Sequence, residues 1–261
     1  MGKVLWAMVV LWGCLVSVSA AQVSPLNLAP GYPTQLDDAY PINPGNVAVQ
    51  GAFRFDKMES EEVRLRQTLE ARWGAMQGVE LFASGTTTWG PLHPGTLDDP
   101  RSVRVGLLYR LTTQQESIVV LPSVAVRSTV QVPVTGSSLQ PSVRLELLGS
   151  WELGHEWWAH ANAGVQVSSE RRLGLQSVGQ PTIWYGRVGV VRGLMPNLGL
   201  VGNVTYGQDP TAAGAYVWTP EVGLAWGITQ DWILTVGGGH DFGSSPQKAT
   251  VRGNMGLSWV W

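Results

Sequence analysis

The chain has 261 residues, a formal net charge of -2 and only 14% Asp, Glu, Lys and Arg, against roughly a quarter in an average soluble domain. Neither this balance nor any basic cluster suits nucleic acid. Past the N-terminus, no run reaches the ~20 apolar residues of a membrane-spanning helix.

The opening stretch, "MGKVLWAMVVLWGCLVSVSAAQ", has the pattern of a secretory signal. Lys3 is the positive start, Val4 to Val16 the apolar core, and Ala20 or Ala21 the cleavage point, so the signal is expected over residues 1–21. An uncleaved anchor is the alternative, but the run is short for a span. Cys14 is the single cysteine. "LWGC" is close to a lipoprotein box, but Trp12 is an odd member and the apolar run continues beyond the cysteine. With the signal removed, the chain carries no disulfide or thiol chemistry.

Residues 22–45, rich in Pro, Asn and Gly, show no periodicity and read as an extended segment on the periplasmic side, at the mouth of the domain that begins at Asn46. From Asn46 a period of two takes over. In "EEVRLRQTLEARW", Val63, Leu65, Gln67, Leu69, Ala71 and Trp73 share one face, and Glu62, Arg64, Arg66, Thr68, Glu70 and Arg72 the other. Side chains alternate faces along a strand, whereas a helix would mix these two sets. About twelve such segments are expected, at 46–57, 61–73, 78–88, 102–111, 117–128, 140–151, 156–169, 182–193, 198–207, 215–227, 231–242 and 248–261. Each is near the ~10 residues with which a tilted strand crosses a bilayer, and no helix is expected.

Two further patterns agree. Links after even segments are short ("GAMQG", "TTQQE", "ELGH", "GLMPN", "GITQ"), while those after odd segments are mostly longer ("WGPLHPGTLDDPR", "ERRLGLQSVGQP"), the first, "MESE", excepted. That asymmetry belongs to outer-membrane barrels. Trp73, Trp151, Trp157, Trp226, Trp232, Trp259 and Trp261 fall near the short turns, and Phe55, Trp184, Tyr206, Tyr216 and Trp218 near the long loops. Aromatic rings favour the two interfacial layers of a bilayer.

The final "NMGLSWVW" sets Met255, Leu257, Trp259 and Trp261 on one face and Asn254, Gly256 and Ser258 on the other. It reads as a closing strand turned toward lipid. Asn254, Gly256, Trp259 and Trp261 also resemble the C-terminal signal read by the bacterial barrel-assembly machinery.

"LDDAYPINPGNVAVQGAF", "VPVTGSS" and "VRGNMGLSW" resemble boxes of the outer-membrane family named for the MetA pathway of phenol degradation, whose members are labelled transporters. Leu36 stands where that family usually has Thr, and Val134 is inserted between Pro133 and Thr135. The resemblance implies a barrel of about twelve strands that passes hydrophobic or aromatic compounds. It brings no catalytic residues.

The expected fold is therefore an all-β, up-and-down, antiparallel transmembrane barrel over 46–261 in the bacterial outer membrane. Parity places Arg54, Arg64, Arg66, Arg72, Arg104, Arg110, Arg127, Arg144, Arg187 and Arg252 in the lumen, with Asp56, Glu70, Glu80, Glu146 and Glu221. One reading is an Arg-rich pore lining that attracts anions; the other is charge pairing that fills a narrow barrel. Asp37 and Asp38 could meet these arginines at the mouth as a plug, or belong to a solvated tail. His93, His155, His160 and His240 lack metal-ligand spacing, so no metal or cofactor is expected. Catalysis by His240, Asp241, Ser244 and Ser245 is an alternative, weakened because adjacent strand residues face opposite ways. The function expected is passive passage of small solutes, not enzymatic, with a plugged structural or adhesion barrel as the second reading.

Overall fold

The computed structural model describes residues 34–90, 101–113, 121–134, 141–168, 172–173, 176–177, 182–209 and 212–261. The expected signal and His93 lie outside them.

Twelve strands form the wall: β1 (Val47–Met58), β2 (Val63–Met76), β3 (Val79–Trp89), β4 (Arg101–Thr112), β5 (Ser123–Pro133), β6 (Ser142–Gly154), β7 (Trp157–Ser168), β8 (Thr182–Met195), β9 (Leu198–Gln208), β10 (Tyr216–Gly227), β11 (Trp232–Gly239) and β12 (Ala249–Val260). Each pairs antiparallel with the next, and β12 returns to β1, with Val49 opposite Trp259 and Arg54 opposite Asn254. The sheet is thus closed and leaves no edge, as a sheet in lipid must. Beyond His240 and Asp241, β11 resumes as Phe242–Gly243 against β10. No helix occurs among the described residues.

The barrel is inside out relative to a soluble protein. On β2, Leu69 is 61% exposed on the outer face, whereas Glu80 on β3 is fully buried in the lumen. Outward residues form an apolar belt rimmed by aromatic side chains, including the stacked rings of Trp232, Trp259 and Trp261 at the short-turn end. Lipid supplies the environment that this belt requires.

Several strand ends shift by a few residues from the sequence expectation, and three differences bear on the fold. The segment 117–128 is displaced: β5 starts at Ser123 and continues to Pro133. Pro122 has no N–H for the ladder, while Thr129 and Gln131 continue the inward face and Val130 and Val132 the outward one. The β4–β5 link therefore spans 113–122 rather than "TTQQE" alone, and at that link the length alternation fails. β6 runs on to Gly154, because His155 and Glu156, both at positive φ (50° and 63°), make a tight hairpin turn. In the long β7–β8 connection, read as plain loop, Arg172–Leu173 pairs with Gln176–Ser177.

Candidate functional site: the lumen and the segment inside it

The chain before β1 enters the barrel. It starts at the short-turn end, where Gly45 N–H donates to Gly74 O at 2.8 Å and Gly74 N–H to Asn46 O at 3.0 Å. A Cβ on Gly74 would collide with the Asn43 carbonyl, so the glycine leaves room for the entering backbone. Proline at positions 41 and 44 keeps this segment out of the ladder. Its backbone groups therefore need side-chain partners from the wall.

The wall supplies them in order. Ile42 N–H donates to Glu80 Oε2 at 3.0 Å, Ala39 N–H to Ser150 Oγ at 2.9 Å, and Gln35 N–H to Glu221 Oε2 at 2.9 Å. Asn162 Nδ2 donates to the Asp37 carbonyl at 3.0 Å. Ser150 Oγ also shares a hydrogen bond with His160 Nδ1, 2.9 Å away. Apolar side chains of the segment fill pits in the lumen. Leu36 is fully buried with Val191 and Val201, and Trp158 packs against this cluster. Ala39 is buried with Leu108, Ala125 and Leu148, and Ile42 packs on Ala48 and Val260. Burial pushes the Tyr40 phenol pKa up, against the lowering effect of its hydrogen bond with Ser123.

Asp37 lies at the centre. Its Oδ2 accepts from Arg127 Nη1 at 2.9 Å and from Arg187 Nη1 at 3.1 Å. Arg187 Nη1 is also 3.4 Å from Glu146 Oε1. The neighbouring Asp38 instead turns its Oδ1 onto Tyr40 N–H, 3.0 Å away. The two cations are backed by aromatic rings: Arg127 lies over Phe82 at 5.7 Å, and Arg187 and Arg144 over Tyr185 at 4.7 and 5.6 Å.

Toward the long loops the charges are woven together. Arg54 Nε bonds both Asp56 oxygens at 3.1 Å. Arg252 joins Asp56 at 2.9 Å and Asp241 at 2.8 Å, with Glu221 3.7 Å away. Nearer the short-turn end, Arg72 lies between Glu70 (3.8 Å) and Glu80 (3.9 Å). Arg104 donates to Gln131 at 3.0 Å and Arg144 to Gln166 at 2.7 Å. Arg64, Arg66 and Arg110 share the inward face of their strands. Two adjoining cavities remain, of about 230 and about 280 Å³. Gln35, Arg54, Arg66, Arg144 and Arg187 line both, and the second reaches Met58 and Gln208 at the outer strand ends.

The residues weighed for catalysis do not assemble. Asp241 faces inward to Arg252 and Thr219. His240 stacks edge-on to Phe242 at 4.4 Å and meets the Thr250 carbonyl through Nδ1. Ser245 bonds Asp209, and Ser244 Oγ accepts from Tyr216 N–H at 3.2 Å. His155 sits in its turn, and no cluster of three metal-binding side chains occurs among the described residues.

Sequence reasoning missed the apolar pits of the lumen and the Ser150–His160 pair. The signal was available: Leu108 lies on the face of Arg104 and Arg110, and Leu148 on that of Arg144 and Glu146. An apolar residue on a charged inner face needs something apolar to meet it.

No family model matches the chain, and no curated protein does. The resemblance to the MetA-pathway family thus rests on its three boxes. Solved structures do match. The KdgM porin aligns at TM-score 0.54 and 12% identity, over 80% of this chain and 98% of its own. A second KdgM structure holds disordered oligogalacturonate. The NanC porin aligns at TM-score 0.55 and 10% identity, over 82% and 98%. The chain has the closed, antiparallel, twelve-stranded fold of outer-membrane porin-type barrels.

Proposed function

We propose that the protein resides in the outer membrane and passes small hydrophobic or aromatic solutes, anionic ones included, through a lumen held shut by the segment 34–46. One observation carries this reading: an Arg-lined cavity reaches from the outer strand ends down to Asp37, where the N-terminal segment closes it. A barrel built only as a scaffold has no need of such a cavity. The resemblance to the MetA-pathway family supports the solute class, and the Arg-rich lining supports a tolerance for negative charge.

On this reading the signal over residues 1–21 exports the chain. The assembly machinery then recognises Asn254, Gly256, Trp259 and Trp261, and the apolar belt meets outer-membrane lipid.

A second reading, a structural or adhesion barrel with a permanently plugged lumen, draws on the complete burial of Thr34, Leu36 and Ala39. Solute flux into liposomes separates the two. A channel gives flux that rises when the segment is removed; a scaffold gives none in either form.

A further inference from the structure

The lumen has two layers, and Asp37 marks their junction. On its long-loop side, guanidinium groups of Arg54, Arg66, Arg104 and Arg144 line the cavity of about 230 Å³. On its short-turn side the wall carries apolar pits, formed by Leu108, Leu148, Val191 and Val201, each buried in a cluster with Leu36 or Ala39, set among polar groups such as Glu80, Ser150 and His160. If the segment left, a solute moving inward would pass from a cationic zone to a wall with vacated apolar pits.

The junction is also undersaturated. Arg127 and Arg187 each give Asp37 Oδ2 one terminal nitrogen. The Nε of each is buried with no hydrogen-bond partner among the described residues. A guanidinium has five donors, and it binds a carboxylate most strongly through two parallel bonds. The pair therefore keeps donors in hand beyond its resident carboxylate. Phe82 and Tyr185 place flat apolar surface beside those donors.

We propose that the Arg127–Arg187 pair is the binding site for the carboxylate of a small organic acid with an apolar body, best met by a single-ring aromatic acid. Asp37 occupies the site as a built-in competitor, so that binding of the solute releases the N-terminal segment. The proposal rests on the channel reading above. Its logic is charge conservation in a buried place. When Asp37 leaves, Glu146 alone remains close to the pair, 3.4 Å from Arg187, and guanidinium groups short of an anion in so enclosed a place are unfavourable, so Asp37 leaves readily only when another carboxylate takes over. A neutral aromatic compound supplies no such charge. An inorganic anion supplies no body for the apolar pits. The cavity of about 230 Å³ accommodates one ring with its carboxylate.

The test is flux of arabinose, a neutral reporter, into liposomes carrying the purified full mature chain at neutral pH. Benzoate is the acid probe, benzyl alcohol its uncharged counterpart, and protein-free liposomes the blank. Benzoate is expected to raise flux several-fold and saturably, and benzyl alcohol at the same concentration to leave it unchanged. Asp37→Asn is expected to be open without benzoate and to respond to it no further. If Asp37→Asn opens the barrel while benzoate leaves the wild type unchanged, the carboxylate site is overturned and the gated channel stands. Equal effects of benzyl alcohol and benzoate, or a benzoate response that persists in Asp37→Asn, overturn it too. If neither the substitution nor benzoate changes flux, the channel reading falls with the site.

Discussion

The ring of Tyr185 packs against Gly164, its register partner across β8 and β7, so closely that a Cβ on the glycine would run into the ring and its hydroxyl. Arg187 covers the same ring, with its guanidinium 4.7 Å from the ring centroid. The same order recurs across the lumen: Gly106 gives room to Phe82, and Arg127 lies over that ring. Two strand glycines thus position the two cations that hold Asp37.

Replacing Gly164 with Val should push Tyr185 off the wall. Overpacking of this kind typically costs about 1–3 kcal/mol, and here it also displaces Arg187. The expected result is a lower midpoint of urea unfolding in detergent together with raised solute flux. Gly186→Ala is the control: a Cβ there meets only the Asn162 carbonyl oxygen at 3.7 Å, so both readouts should stay near wild type.

Leu36→Ala tests the apolar anchor of the segment. Leu36 is fully buried with Val191 and Val201. Truncating a buried leucine usually costs on the order of 2–5 kcal/mol. Here the loss falls on docking of the segment rather than on the strands. Single-channel recording should show more frequent opening, with urea unfolding of the barrel little changed. Unaltered opening would mean that Leu36 does not hold the segment in place.

The acidic pair divides its work. Asp37→Asn removes the charge between Arg127 and Arg187, and breaking a buried pair in this way costs about 3–5 kcal/mol in the closed form. In the open form water solvates those cations, so the equilibrium moves toward open. Asp38→Asn keeps an oxygen for the Tyr40 N–H and should change flux far less. Flux measured on both variants checks this ranking, and equal effects would contradict it.

The period-two alternation made the twelve strands and their inward and outward faces legible, since a closed sheet in lipid leaves parity no freedom. The error at β5 has a physical origin. "SIVVLP" is as apolar as a strand, but Pro122 cannot join the ladder, and the true continuation through Gln131 is more polar than a strand is expected to be. Within the lumen, parity told which residues face in, but not which of them meet. Asp37 and Arg187 are 150 positions apart in sequence, and no local pattern signals that contact. Ser150 and His160 are register partners only ten positions apart across the β6–β7 hairpin, but their role, to hold the Ala39 backbone, depends on a segment that carries no periodicity of its own.

Removing Trp261 should impair barrel closure. Its N–H and C=O bond Val47 O and N at 2.9 Å each across the β12–β1 seam, and its ring stacks on Trp259 at 4.1 Å. Two backbone hydrogen bonds contribute roughly 0.5–1.5 kcal/mol apiece, at the place where the sheet must seal. The folded, heat-modifiable band on SDS gels should fall markedly in cells making the truncated chain. A wild-type level of that band would refute the role.

The most direct test of the gated lumen is conductance in planar bilayers, comparing the mature chain with one that lacks residues 29–41. Removing that stretch takes away Leu36, Asp37 and Ala39 together and leaves the strands intact. The mature chain should show low, flickering conductance and the deletion a larger, steady one. Equal conductance in the two, or none in either, would contradict the gated lumen.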